Sequence, residues 1–374
     1  MTYSGPARNR QELDAAMHLA AATFGTTLPE SEQLERKKFL MLGNPRVRPE
    51  DVIVLCAPAG QVIGMVVLVG RQMMRDGDAL PVVHITSVCL SEKARGQGLS
   101  RHLMAAALEA CRSRGAALAL LVARRAVDNY YNKFGFWGLS SYSSLAVRPL
   151  PAGRPSIRLA PASDNDLPAR MEAYETCYNN HFGHHIRDET DWRYIREKSR
   201  LLQLDFLSVS GPGKLAGYIL ARQNRIFELG LSDPSRAREV VAGYASRQGL
   251  GQIDIDISRH HRLADHLGEN AVHCSRECRY GGHMGAIVNT ATLVETAASR
   301  IARRARIVSR PPAVEAVDGI EYHWDGERAH IIPPEHMDFA ATARLIGATQ
   351  LSTESHPNAL DPPAPLNLLL ADQV

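Results

Sequence analysis

Apolar positions along the chain follow two periods. The branched runs Val52–Cys56 and Val62–Val69 flank the turn residues Ala57-Pro58-Ala59-Gly60 and predict a β-hairpin. Val82–Leu90, rich in Val, Ile and Thr, reads as a strand, as do Ala117–Ala123 and Leu139–Val147. Gln11–Phe24, Glu30–Leu42, Gly98–Arg114 and Val127–Lys133 carry the helical period. In the third of these, Leu99, Leu103, Ala106, Ala107 and Ala110 share one face, and Gly115 supplies a stop. The order helix, helix, hairpin, strand, helix, strand, helix, strand predicts an α/β sheet with helices on both faces.

The hairpin pattern recurs. Asp51, Pro58, Gly60 and Gly64 have counterparts in Asp205, Pro212, Gly213 and Gly217, with one residue deleted in the turn. A repeat that long means duplicated domains, since solenoid units are far shorter. Pro149, Pro151, Pro155 and Pro161 with Gly153 are too dense for a helix interior or a central strand, so they predict a linker after a first domain spanning 1–150. Pro311-Pro312 marks a second candidate boundary, and the proline-rich 357–365 precedes a last strand-like piece, Leu366–Leu370.

With 374 residues there is room for about two and a half domains at roughly 150 residues each. A hydrophobic content of 45% and a charged content of 22% exclude a mainly disordered chain. The net charge of +3 does not mark a nucleic-acid binder. The longest apolar runs, such as Ala116–Ala123, fall short of a membrane span, and the N-terminus has no basic-then-apolar order, so a cytoplasmic protein without membrane association is expected. Cys56, Cys89, Cys111, Cys177, Cys274 and Cys278 are too sparse for a disulfide scaffold, and free thiols are expected.

Chemistry concentrates at Arg95-Gly96-Gln97-Gly98-Leu99-Ser100-Arg101, between a strand and its helix. Glycines allow a tight turn whose N–H groups face a ligand, and the helix N-terminus adds its dipole, so the loop suits a pyrophosphate. A glycine-rich helix entry without a ligand is the competing reading. Downstream stands Asp128-Asn129-Tyr130-Tyr131-Asn132-Lys133-Phe134-Gly135-Phe136. With these two motifs in this order, residues 10–150 resemble the GCN5-related N-acetyltransferase (GNAT) superfamily. Val83–Leu90 followed by Arg95–Gly98 looks like the tandem acetyltransferases of the enhanced intracellular survival type.

The resemblance implies two tandem GNAT-fold domains (1–150, catalytic; 151–303, degenerate) and a truncated sterol-carrier-like α/β segment (304–374), in a mixed α/β fold. It implies acetyl-coenzyme A as co-substrate and no metal. The loop Arg95, Gly96, Gln97, Gly98, Leu99, Ser100 and Arg101 would hold its pyrophosphate, with Ser100 replacing the family's Gly or Ala. A backbone N–H of the strand end Val88-Cys89-Leu90 would bind the thioester carbonyl. Tyr131, by its spacing to Gly135-Phe136, is the candidate general acid, with Tyr130 as the competing assignment. Two groups compete as base: the terminal carboxylate of Val374, as in the resembled family, and His84 on the central strand. In the second copy, Asp233-Pro234 stands where the glycine loop belongs; proline has no N–H and the carboxylate repels phosphate, so no coenzyme A is expected there.

His181-Phe182-Gly183-His184-His185 and the set His273, Cys274, Cys278 and His283 have metal-ligand residue types but no recognised spacing, and no metal is expected. Arg300, Arg303, Arg304, Arg306 and Arg310 form the densest basic stretch, a solvated face or an RNA contact. Three functions therefore compete. The first is an acetyltransferase moving an acetyl group to a primary amine of a small or polycationic acceptor, by direct attack in a ternary complex. The second is an aminoacyltransferase fed by aminoacyl-tRNA, and the third a non-catalytic carrier-like protein. The resemblance further implies a homo-oligomer.

Overall fold

The computed structural model describes residues 2–25, 27–75, 78–123, 125–140, 142–148, 156–179, 184–257, 261–268, 271–276, 283–289 and 291–293, with the backbone of 314–317, 320–324 and 329–331. Two compact units emerge, one from residues 1–139 with a returning segment from 279, the other from residues 140–278.

The first unit is built on a seven-stranded sheet. Its order is β1 (Tyr3–Pro6), β2 (Val52–Cys56), β3 (Val62–Arg75), β4 (Asp78–Leu90), β5 (Leu118–Val122), β14 (His283–Ile287) and β6 (Trp137–Ser140). β4 and β5 run parallel, while β14 lies antiparallel to β5. Helices α1 (Arg10–Thr23) and α2 (Glu30–Leu42) flank one face, where Ala16, Met17, Met41, Met65, Val67 and Val69 pack. Helix α3 (Ser100–Ser113) covers the other. It buries Leu103, Met104, Ala107, Leu108 and Cys111 at three- and four-residue spacing against Leu68, Val83 and Ile85. Each such large side chain contributes about 1.5–3 kcal/mol.

The second unit repeats that order as β8 (Arg158–Pro161), β9 (Asp205–Ser210), β10 (Ala216–Arg222), β11 (Arg225–Leu231), β12 (Ile253–Ile255), β7 (Tyr142–Val147) and β13 (Ala271–Arg276). The second and third strands again form a hairpin, and the fourth and fifth are again parallel. Its helices are α4 (Leu167–Tyr178), α5 (Glu189–Leu201) and α6 (Ala237–Gln248). Asp188 caps α5 by accepting from Asp191 N at 3.0 Å, and Gly249 ends α6 at φ 66°.

In the first sheet the sixth strand, β14, returns from beyond the second unit's residues; in the second sheet the sixth, β7, comes from the stretch that opens that unit, ahead of β8. The single strand expected at 139–147 is in fact two, β6 in the first sheet and β7 in the second. Its alternating pattern is real, since Leu145 and Val147 are buried in the second unit's core. Alternation fixes which face of a strand is buried, not which sheet receives it. The proline-rich stretch 149–161 contains an edge strand, β8, that ends on Pro161, a position where a missing N–H is tolerated. Beyond residue 303 the described residues form a three-stranded antiparallel sheet, β15 (Val314–Val317), β16 (Ile320–Trp324) and β17 (Ala329–Ile331). Pro311-Pro312, the basic stretch 300–310 and the 357–370 segment lie outside the described residues.

Candidate active site

Strand β4 changes character near its end. It pairs with β5 only over Val82–His84 against Leu118–Leu120 among the described residues. Its register with β3 slips between Met65, opposite Cys89, and Val67, opposite Thr86. Ser87 sits in this slip at φ 56°, an uncommon conformation for a residue other than glycine. The bulge reverses which side chains face α3. Val83 and Ile85 belong to the α3-side core before it; Val88 and Leu90 pack there after it, while Cys89 joins the core under α1 and α2. Burial pushes the Cys89 thiol up to about 11, against a hydrogen bond to Thr23 and the charges of Arg95 and Lys37. A thiol held protonated is a poor nucleophile, so it does not support a covalent route.

The loop after β4 is exposed from Arg95 through Gly98. Gly96 and Gly98 have φ 75° and 71°, and a Cβ at either would meet nothing within 4 Å. The backbone N–H groups from Gly96 to Ser100 have no protein acceptor among the described residues. Helical bonding starts with Arg101 N donating to Gly98 O at 3.3 Å and His102 N to Leu99 O at 3.1 Å. No side chain caps α3. Open space above a row of unmatched donors at a helix N-terminus fits an anionic ligand such as a pyrophosphate. Arg95 Nε donates to Leu90 O at 3.2 Å, which ties the loop's guanidinium to the end of β4. Arg101 is exposed on the first turn of α3.

Tyr131 lies in the 3-10 segment Arg125–Phe134 and packs on the α3-side core with Val88, Leu90 and Leu99. Its ring meets Tyr130 edge-on at 5.1 Å and Phe136 at 6.1 Å. Tyr130 stands apart from that core, with Lys133 Nζ 3.8 Å from its ring centroid. The fold therefore gathers the bulge, the glycine loop and Tyr131 on one side of the sheet. His84 is buried on the opposite face, and Val374 lies outside the described residues.

One buried residue on that opposite face is offered by the sequence only as a metal-ligand type. His283, on β14, pairs with Val122 at the open end of β5. It is 7% exposed, and burial pulls its pKa down from 6.5 to about 4. No spacing rule could place it there, because its strand returns only after the whole second unit. Between pH 6.5 and 4 the unfolded chain binds a proton at this position and the folded chain does not. Stability is therefore intact above 6.5 and lost as the pH falls toward 4, by up to about 3 kcal/mol. Urea midpoints against pH should show this acid slope, and His283→Gln should flatten it.

In the second unit the matching helix entry is self-capped. Asp233 accepts from Ser235 N at 3.1 Å and from Ser235 Oγ at 2.6 Å, and these bonds hold its carboxyl below the usual range. The N-terminus there already has its anion. Strand β11 has no residue with positive φ, and its register with β10 slips elsewhere, between Leu220, opposite Glu228, and Ala221, opposite Ile226.

Residues 7–139 match the family model described as an acetyltransferase (GNAT) domain. This part of the chain is a GNAT acetyltransferase domain. The fold likeness runs further. A GCN5-related N-acetyltransferase from Anabaena variabilis is 14% identical, covers 90% of this chain and 86% of its own, and has a TM-score of 0.63. One from Kribbella flavida is 14% identical, with 90% and 85% covered and a TM-score of 0.61. Eis1 from Mycobacterium abscessus is 15% identical, with 93% and 90% covered and a TM-score of 0.57. No curated protein sequence matches the chain significantly. Both units thus share the fold of these acetyltransferases, and residues 7–139 carry the domain that supports acyl transfer.

Among the described residues no group of His, Cys, Asp or Glu could hold a metal ion, and no helix is long and apolar enough to cross a membrane. Cys56, Cys89, Cys111 and Cys177 are free and buried. His184 is buried beside Glu175, its Nε2 3.3 Å from Oε1, and His185 is buried next to it. His181 lies outside the described residues, as do the side chains of His273, Cys274 and Cys278.

Proposed function

We propose that the first unit transfers an acetyl group from acetyl-coenzyme A to a primary amine by direct attack in a ternary complex. The observation that carries this reading is the bulge at Ser87 ending beside a loop of unmatched N–H groups, with Tyr131 packed on the same side. The loop N–H groups and Arg95 would hold the pyrophosphate. A backbone N–H of the Val88–Leu90 stretch, turned out of the ladder, would bond the carbonyl oxygen as it gains charge. The amine lone pair forms the new C–N bond as the C–S bond breaks. Tyr131 then gives its phenolic proton to the departing sulfur, a transfer between groups of pKa near ~10 and ~8.5. Removal of the amine proton falls to His84 or to the carboxylate of Val374.

The second unit, with Asp233 capping its own helix entry, would bind no coenzyme A. Isothermal titration with acetyl-coenzyme A tests both statements: one site per chain is expected, abolished in Arg95→Glu. Two sites would overturn the reading of Asp233, and no binding by folded protein would overturn the donor.

A further inference from the structure

Tyr131 belongs to a tight helix stop that is fastened by more than its backbone. Phe136 N donates to Tyr131 O at 3.3 Å, and inside that bond Gly135 N donates to Asn132 O at 3.0 Å. Gly135 takes the left-handed conformation, at φ 83°. Two nested bonds and a left-handed glycine make a Schellman ending of the segment Arg125–Phe134. An apolar contact between the first and last residues commonly completes such an ending. Here it is the contact of the Tyr131 and Phe136 rings, at 6.1 Å. Phe136 is fully buried in the α3-side core, so it anchors the stop there.

Asn132 adds a third bond. Its Nδ2 donates to Phe136 O at 3.0 Å. Phe136 thus holds Tyr131 through its own N–H and Asn132 through its own carbonyl. The other end of the carboxamide gains nothing, because Oδ1 is buried with no hydrogen-bond partner. Leaving a buried acceptor unpaired costs at least as much as one made bond gains. The asparagine therefore brings no surplus of stability. What it supplies is geometry: it fixes the peptide that follows Gly135 against the residue next to Tyr131. A general acid must meet the departing sulfur within a hydrogen bond's length, and a displacement of ~1 Å can cost about 10²-fold in rate.

We infer that Asn132 is a positioning residue, which fixes the Tyr131 hydroxyl through the bond to Phe136 and acts on turnover only through that hydroxyl. This rests on Tyr131 as the acid in the acetyl-transfer reading above. The test is a double-mutant cycle of Asn132→Ala and Tyr131→Phe. Thiol release from acetyl-coenzyme A is followed with L-lysine, 2-phenylethylamine and spermidine as acceptors, and with water alone. Asn132→Ala should lower kcat by about 10–100-fold. Its affinity for acetyl-coenzyme A, read by calorimetry, and its urea midpoint should match those of the wild type. In the Tyr131→Phe background the same substitution should change kcat by less than about 2-fold, since the group it positions is gone. Asn132→Asp keeps the shape and, when ionised, lacks the donor, so it should be as slow as Asn132→Ala.

A slow Tyr131→Phe beside Asn132→Ala at full rate would overturn the inference and leave the acid in place. So would an equal further loss from Asn132→Ala in the Tyr131→Phe background, or a loss of turnover that only follows a lowered urea midpoint. Tyr131→Phe at full rate, or no thiol release by the wild type with any acceptor, would overturn the underlying reading and the inference with it.

Discussion

Tyr131→Phe is expected to lower kcat by about 10²–10⁴-fold while leaving the affinity for acetyl-coenzyme A unchanged. The substitution removes one hydroxyl and keeps the ring. That ring makes the edge-on contacts with Tyr130 and Phe136 and packs against the α3-side core, so the fold and the donor loop should survive. What goes is the proton for the departing thiolate. The loss should appear in single-turnover experiments, where product release plays no part. It should also be smallest at low pH, where solvent can protonate the sulfur. Tyr130→Phe serves as the control, because its ring lies against Lys133 and outside the core beneath the bulge. Equal turnover in wild type and Tyr131→Phe would remove the general-acid role, and a large loss in Tyr130→Phe would transfer it to that residue.

Much of this site can be read from residue order, for identifiable reasons. Glycines at 96 and 98 are required by backbone angles that other residues resist, so the loop announces itself. Helix α3 follows from the spacing of its buried side chains, and the first hairpin from its turn. The bulge is also written in the sequence, as a change of phase: Val83 and Ile85 face α3, then Val88 and Leu90 do, three residues after Ile85 rather than two. A continuous reading of Val82–Leu90 as one strand passes over that slip. The strand exchange is a different matter. β7 alternates in a way that either sheet could accept, β14 is a short run buried from His283 through Ala286, and for both the choice is made by contacts between residues far apart in sequence. His283 inherits the same opacity.

The decay of the second unit shows both kinds of information. Asp233-Pro234 is a local signal and is legible. The strand above it is sealed by a pair that is not. Counting from the matched glycines Gly64 and Gly217, Glu228 on β11 holds the ladder position that Thr86 holds on β4, where the first unit opens. There Arg187 Nη1 donates to Glu228 Oε1 at 2.7 Å and Nη2 to Oε2 at 3.0 Å, and the Tyr218 hydroxyl donates to the same carboxylate. The two side chains are 0% and 1% exposed. The guanidinium also lies 4.2 Å from the Tyr174 ring and 4.9 Å from that of Trp192.

Desolvating such a pair offsets most of its attraction, but removing one partner strands the other charge. Glu228→Ala is therefore expected to destabilise the second unit by about 3–5 kcal/mol. Urea unfolding followed by Trp192 fluorescence, in a background with Trp137 and Trp324 replaced by Phe, isolates this unit. Replacing the whole set, as Arg187→Met with Glu228→Leu and Tyr218→Phe, should recover most of the loss, since no buried charge is then left alone. A mild effect of Glu228→Ala would mean that water reaches Arg187. A triple variant no more stable than the single one would mean that the pair itself, rather than the stranded charge, holds this core together.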